Sequence, residues 1–177
     1  MSRMKRFALS FGLTAGAILA LAPALSQTSS LKGHDSNAPV DVASDRIEVQ
    51  DRADRAIFSG NVVVRQAALT LTAARLTVAY SSTGGIKIDR IDASGGVTVK
   101  SPSETARGQF AVYDLDSKLI TLVGGVTLTR GDSHLQGGRL VLDLDSGRAV
   151  MDGGGPPGTG NAGGRVTGRF TVPQRRN

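Results

Sequence analysis

The sequence contains no cysteine and no tryptophan. Without cysteine there is no disulfide framework, no thiol nucleophile and no cysteine zinc site. Aromatic residues make up only 4% of the 177 residues. A core must therefore be assembled from valine, leucine and isoleucine, which suit a pleated, half-buried surface. Histidine occurs only at His34 and His134. No segment beyond residue 30 carries a sustained helical stripe, so an α-helical fold is excluded. What is abundant is glycine, 23 residues, as expected of a chain with many tight turns. With 40% hydrophobic and 20% charged residues, the composition is that of one ordinary globular domain.

The N-terminus reads as a targeting segment. Arg3, Lys5 and Arg6 precede an uncharged apolar run at 7–22, followed by Pro23 and the small-residue site Ala24-Leu25-Ser26. That order is a secretory signal peptide with cleavage after Ser26, and the run is shorter than the roughly 20 residues of a membrane anchor. Loss of those three cations leaves 18 basic against 15 acidic residues, so the net charge falls from +6 to +3. Much of the basicity belongs to the leader, which argues against a nucleic-acid partner.

The rest alternates with period two. "NVVVR" (61–65), "LTLT" (69–72), "RLTV" (75–78), "GVTVK" (96–100), "VTLTR" (126–130) and "RLVLDL" (139–144) are the clearest strands. They also repeat. "LDSKLITLVGG" begins at 115 and "LDSGRAVMDGG" at 144, an offset of 29 residues. One unit, a basic, amide or similar residue followed by apolar-x-apolar, starts at Arg46, Arg75, Gln109, Arg139 and Arg169, in steps of 29, 34, 30 and 30 residues. A second unit lies between, "AIFSGNVVV" (56–64), "IDASGGVTV" (91–99) and "ITLVGGVTL" (120–128). A repeat near 30 residues implies stacked units that bury their apolar faces on one another. The fold class is all-β, a jelly roll or flattened antiparallel β-solenoid, apolar inside and wet outside.

The segment "PVDVASDRIEVQDRADRAIFSGNVVVRQAALTLTAARLTVAY" (39–80) resembles the LptA/OstA-like family of periplasmic lipopolysaccharide-transport proteins. The residues that carry the likeness are the "VDV" strand, Ser44-Asp45, "FSGNVVVRQ" and the Ala74-Arg75-Leu76 strand; "GRVTGRFTVPQ" (164–174) is similar to the family's closing strand. The resemblance divides the chain into a signal peptide (1–26), a flexible polar leader (27–38), an OstA-like domain (39–173) with a Gly/Pro-rich loop at 153–163, and a basic tail (174–177). It implies a periplasmic carrier with no active site and no cofactor. Such a carrier shelters the lipid A acyl chains of lipopolysaccharide in an apolar slot and joins head to tail with copies of itself, an LptC-like inner-membrane protein and an LptD-like outer-membrane barrel. The lining candidates are then the side chains that parity puts inside: Val40, Val42, Ile47, Val49, Phe58, Val62, Val64, Leu76, Val78, Phe110, Val112, Leu122, Val126, Leu128, Leu140 and Leu142. Arg65, Lys100 and Arg130 end apolar strands and are candidate phosphate contacts.

Other chemistry is weaker. Asp114, Asp116, Asp143 and Asp145 fit hairpin turns better than a calcium loop. Gly158, Gly160 and Gly163 have dinucleotide-fingerprint spacing, but Pro156-Pro157 precede them and a strand, not a helix, follows. Asp132, Ser133 and His134 adjoin in sequence, whereas triad members meet from separate loops. Three alternatives remain open: an LptC-like anchored subunit, a structural β-solenoid with a dry core, and a hydrolase using His134.

Overall fold

The computed structural model describes residues 34–82, 84–154 and 164–171. The described residues form ten strands in one sheet. In chain order they are β1 (Asp41–Ala43), β2 (Arg46–Gln50), β3 (Arg55–Gln66), β4 (Leu69–Ser81), β5 (Lys87–Lys100), β6 (Glu104–Asp114), β7 (Leu119–Arg130), β8 (Ser133–Asp143), β9 (Ala149–Asp152) and β10 (Thr167–Arg169). β3 to β8 are an antiparallel meander of strands 11 to 14 residues long. The short strands sit at its two edges: β1 and β2 both pair with β3, and β9 and β10 both pair with β8.

Strands this long cannot stay flat and still bury one face. Each pairing between β3 and β8 shifts register near mid-strand. β3, β5 and β7 place an extra residue there: Gly60-Asn61, Gly95-Gly96 and Gly124-Gly125, all with positive φ. These are the Gly-Asn and Gly-Gly steps of the second repeated unit, and they mark a crease. On one side, wing A contains β1, residues 62–66, 69–73, 97–100, 104–108, 126–130 and 133–137, and β10. On the other, wing B contains β2, residues 55–59, 75–81, 87–94, 110–114, 119–123 and 139–143, and β9. Rather than two separate sheets, a single sheet folds on itself and encloses one core.

Directly paired residues of an antiparallel sheet share a face. In wing A the row Val42, Val64, Leu71, Val99, Ala106, Leu128, Leu135 points inward. In wing B the inward row is Ile47, Phe58, Leu76, Ala93, Ala111, Leu122, Leu140, Met151. Apart from Ile47, both rows join one cluster whose centre, at Leu76, Ile120, Leu122 and Leu140, is fully buried.

The motif Ser44-Asp45…Gly60-Asn61 explains how the first edge strand breaks in two. Asp45 donates its backbone N–H to the Gly60 carbonyl at 2.9 Å, and its carboxylate accepts from Asn61 Nδ2 at 2.9 Å. A side chain at residue 60 would collide with the Asp45 carboxylate, so glycine is required there.

Opposite the crease the wings meet along a seam. There Tyr113 of wing B donates its hydroxyl to Gln66 Oε1 of wing A at 2.9 Å, and Gln66 Nε2 donates to the Ser36 and Ala38 carbonyls. His34 lies 3.2 Å from the same Gln66 oxygen. Residues 34–38, the described part of the leader, are thus hydrogen-bonded to the domain. Burial holds the Tyr113 hydroxyl above the ordinary phenol pKa, partly offset by its hydrogen bonds. A group whose folded pKa is raised contributes stability that is complete below its unfolded value, about 10, and lost as pH rises through the folded value. Urea titrations should therefore find the wild type losing stability above about pH 10. Tyr113→Phe should flatten that loss and cost about 1 kcal/mol at pH 8.

Candidate functional site: the seam between the wings

Fourteen of the sixteen lining candidates lie on the inner side. Val62, Val64, Leu76, Val78, Leu122, Val126, Leu128, Leu140 and Leu142 are buried, and Val40, Val42 and Phe58 pack against them. Phe110 and Val112 do not: they point outward. Phe110 is paired with Ser94 and Val123 and is 49% exposed, while Val112 is paired with Asp92 and Thr121. The inner residues of β6 are Ala106, Ala111 and Tyr113. At the crease β4 and β6 turn two consecutive side chains outward, Ala74-Arg75 and Gln109-Phe110. Residue 110 is therefore the counterpart of Arg75 and not of Leu76, and the apolar reading of β6 is one residue out of phase. Ile91, Val97, Val99, Leu71 and Ile120 are inner residues that are not among the sixteen candidates. They share the parity of their strands, and counting by two from Leu122 reaches Ile120.

Ile47 and Val49 belong to the inner face by pairing with Phe58 and Ala56, yet they are 56% and 57% exposed. The wings are offset, which explains this. Gln66 of β3 in wing A meets Tyr113 of β6 in wing B, and Leu128 and Leu135 of β7 and β8 in wing A share a cavity with Ala149 of β9 in wing B. At the first edge wing B projects beyond wing A with Ile47 and Val49 uncovered. At the last edge wing A projects beyond wing B, and Phe170 is 68% exposed. The centre is packed with side chains. Near the last edge a cavity of about 240 Å³ opens between the wings, lined by Leu128, Leu135, Ala149 and Phe170, with Arg130, Ser133 and Gly147 at its rim.

The two lips of the seam hold their charges differently. Wing A presents Arg65, Lys100 and Arg130 at the equivalent ends of β3, β5 and β7. Arg65 and Lys100 point outward, by pairing with Thr70. Arg130 turns toward Glu104, a buried carboxylate; its Nε donates at 2.8 Å and its Nη2 to the same oxygen. Wing B presents Asp89, Asp114, Asp116, Asp143 and Asp145, with Lys87 held by Asp116 at 2.6 Å and Lys118 by Asp145 at 2.9 Å. Asp114 and Asp143 act as turn residues: Asp114 Oδ1 accepts from the Ser117 N–H at 2.8 Å, and Asp143 Oδ1 accepts from the Asp145 and Ser146 N–H groups at 3.0 Å each. Hydrogen bonds from Ser117 and from Ser146 hold the two carboxyls below the usual aspartate range. Among the described residues no group of three or more His, Cys, Asp or Glu is placed to hold a metal ion.

Ser133 lines the cavity on the inner face, while His134 points outward and sits 3.1 Å from Thr129 Oγ1 through Nδ1. Adjacent strand residues face opposite sides, so these two cannot form a nucleophile–base pair. The glycine fingerprint at 158–163 and the signal segment at 1–26 lie outside the described residues.

Comparison with known proteins agrees with this geometry. The family model described as LptA/(LptD N-terminal domain) LPS transport protein matches residues 41–148. An uncharacterized protein of Rhizobium meliloti (strain 1021) is 34% identical over 150 residues, which span 80% of this chain and 81% of that one. The crystal structure of LptH, described as the LptA homologous periplasmic component of the lipopolysaccharide transport device from Pseudomonas aeruginosa, shares the fold. Its TM-score is 0.70 at 16% identity, over 78% of this chain and 99% of that one.

Proposed function

The chain belongs to the LptA/LptD N-terminal-domain family of LPS transport proteins, and we propose that it is a periplasmic carrier whose wings shelter the acyl chains of lipid A. The observation that carries this reading is the apolar inner face left uncovered at both edges, with the cavity lined by Leu128, Leu135, Ala149 and Phe170. Each acyl CH₂ in water costs about 0.8 kcal/mol, so a chain of roughly a dozen carbons costs on the order of 10 kcal/mol to leave bare. A protein that covers such chains needs neither catalytic group nor cofactor. Because the centre is packed, chains enter at the edge cavity and advance by parting the wings along the seam, where the Gln66–Tyr113 bond joins one wing to the other. The offset edges suit head-to-tail self-association and docking to LptC-like and LptD-like domains of the same fold.

Photo-crosslinking in cells tests the reading. A photoreactive residue at Leu128 or Leu135 should capture lipopolysaccharide, whereas one at Phe110 or Val141, on the outer side of wing B, should not. Capture that is equal from inside and outside would sink the slot. Failure of every inner position, together with failure of a fluorescent acyl probe to bind, would favour a dry structural solenoid.

A further inference from the structure

The outer face of wing A carries a second pattern, unrelated to the core. Along its seam-side rim the cross-strand partners run Arg65, Thr70, Lys100, Thr105, Thr129, His134 and Arg169. With strands about 4.8 Å apart, this row is roughly 30 Å long. Its charges are of one sign apart from Asp41, which pairs with Arg65 across the first edge. Among the described residues no carboxylate comes within ion-pair distance of Arg65, Lys100 or Arg169, whereas Lys87, Arg90 and Lys118 of wing B are held by aspartates. Unneutralised guanidinium and ammonium groups at this spacing fit separated phosphates, and the intervening hydroxyls donate to and accept from sugar hydroxyls.

The row ends in a recess of about 430 Å³ lined by His134, Gln136, Thr167, Gly168 and Arg169. It shares one strand segment with the apolar cavity: Ser133 and Leu135 face the cavity, His134 and Gln136 the recess. An amphiphile whose chains sit in the cavity can therefore bend around the β7–β8 turn and rest its polar head on the outer row.

We propose that this rim is a track for the phosphorylated saccharide of lipopolysaccharide, so that the sugar moves along the outside of wing A while the chains move inside. The proposal rests on the transport reading above. Its test uses deacylated lipopolysaccharide with its phosphates retained, titrated calorimetrically into the mature protein (27–177), beside a fluorescent acyl probe and phosphatidylglycerol vesicles. The wild type should bind the saccharide with an affinity that falls as salt rises. The triple variant Arg65→Glu, Lys100→Glu, Arg169→Glu should bind it at least tenfold more weakly with acyl-probe binding unchanged, and Arg75→Glu on the outer face of wing B should alter neither. Acyl binding without saccharide binding, or saccharide binding indifferent to the triple variant, overturns the track and leaves the slot standing. Saccharide binding without acyl binding removes the slot, and the track with it. Vesicle capture that depends on the same three cations makes the rim a membrane-docking face and overturns the proposal.

Discussion

Valine in place of Gly124 is expected to remove about 3–4 kcal/mol of stability, a large part of the 5–15 kcal/mol typical of a domain. Two costs add. Gly124 has φ +86°, a region that a β-branched residue enters at about 1–3 kcal/mol. A Cβ there would also lie 2.9 Å from Gln109 Cβ, across the crease, where real Cβ atoms do not approach. The neighbouring glycine separates the two effects. Gly125 has φ +59° but nothing within 4 Å of an added Cβ, so Gly125→Val should show only the conformational cost, about 1–2 kcal/mol. The second crease pair repeats the contrast: Gly95 would bring a Cβ 2.6 Å from Ala74 Cβ, and Gly96 meets nothing. Urea midpoints of the four valine variants measure this. Equal losses within each pair would mean that the crease is not closely packed and that glycine is there for its dihedrals alone.

That crease also marks how far the sequence could be read. Alternation in β3, β4, β7 and β8 names the core correctly because their inner residues are Val and Leu, which contrast with Thr, Asp and Arg between them. In β6 the inner residues are Ala106, Ala111 and Tyr113. Alanine barely contrasts with its neighbours, and the one strongly apolar residue nearby, Phe110, stands at the crease and faces water. The apolar pattern of β6 is therefore one residue out of phase with its burial. The paired glycines were visible as the end of a repeated phrase, but a phrase does not say that the sheet folds there. The Gln66–Tyr113 bond joins residues 47 apart on different wings, and nothing local to either residue signals it. The offset of the wings likewise has no signature in any one strand. Arg65, Lys100 and Arg130 stand at strand ends and share one lip. Which way each points depends on the strand's parity: Arg130 turns in to Glu104 while the other two turn out.

The double variant Ile47→Glu, Val49→Glu is expected to leave the protein monomeric at concentrations where the wild type associates. On the proposed head-to-tail contact, wing B of one subunit, bare at Ile47 and Val49, lies under wing A of the next, bare at Phe170. The two overhangs differ, so each copy offers a donor end and an acceptor end, which gives an open chain rather than a closed dimer. The backbone edges match as well, since β1 and β2 end the sheet on one side and β9 and β10 on the other. Covering the exposed parts of an isoleucine and a valine yields about 1–1.5 kcal/mol each. Two carboxylates in their place must be desolvated or protonated on contact, a further penalty of several kcal/mol. The sum exceeds the 2.7 kcal/mol that corresponds to a 100-fold weaker association, so a shift of at least about 100-fold is expected. Glu48→Ala changes a residue of the same strand that faces outward, and it should leave association within about twofold, as rim changes usually do. Sedimentation velocity across a wide concentration range distinguishes these outcomes. If the wild type remains monomeric throughout, and is also indifferent to LptC-like and LptD-like domains, the overhangs are not interfaces and the bridge is not built from this contact. If Glu48→Ala is as damaging as the double variant, the contact lies on the outer face, and the uncovered inner residues are left for lipid alone.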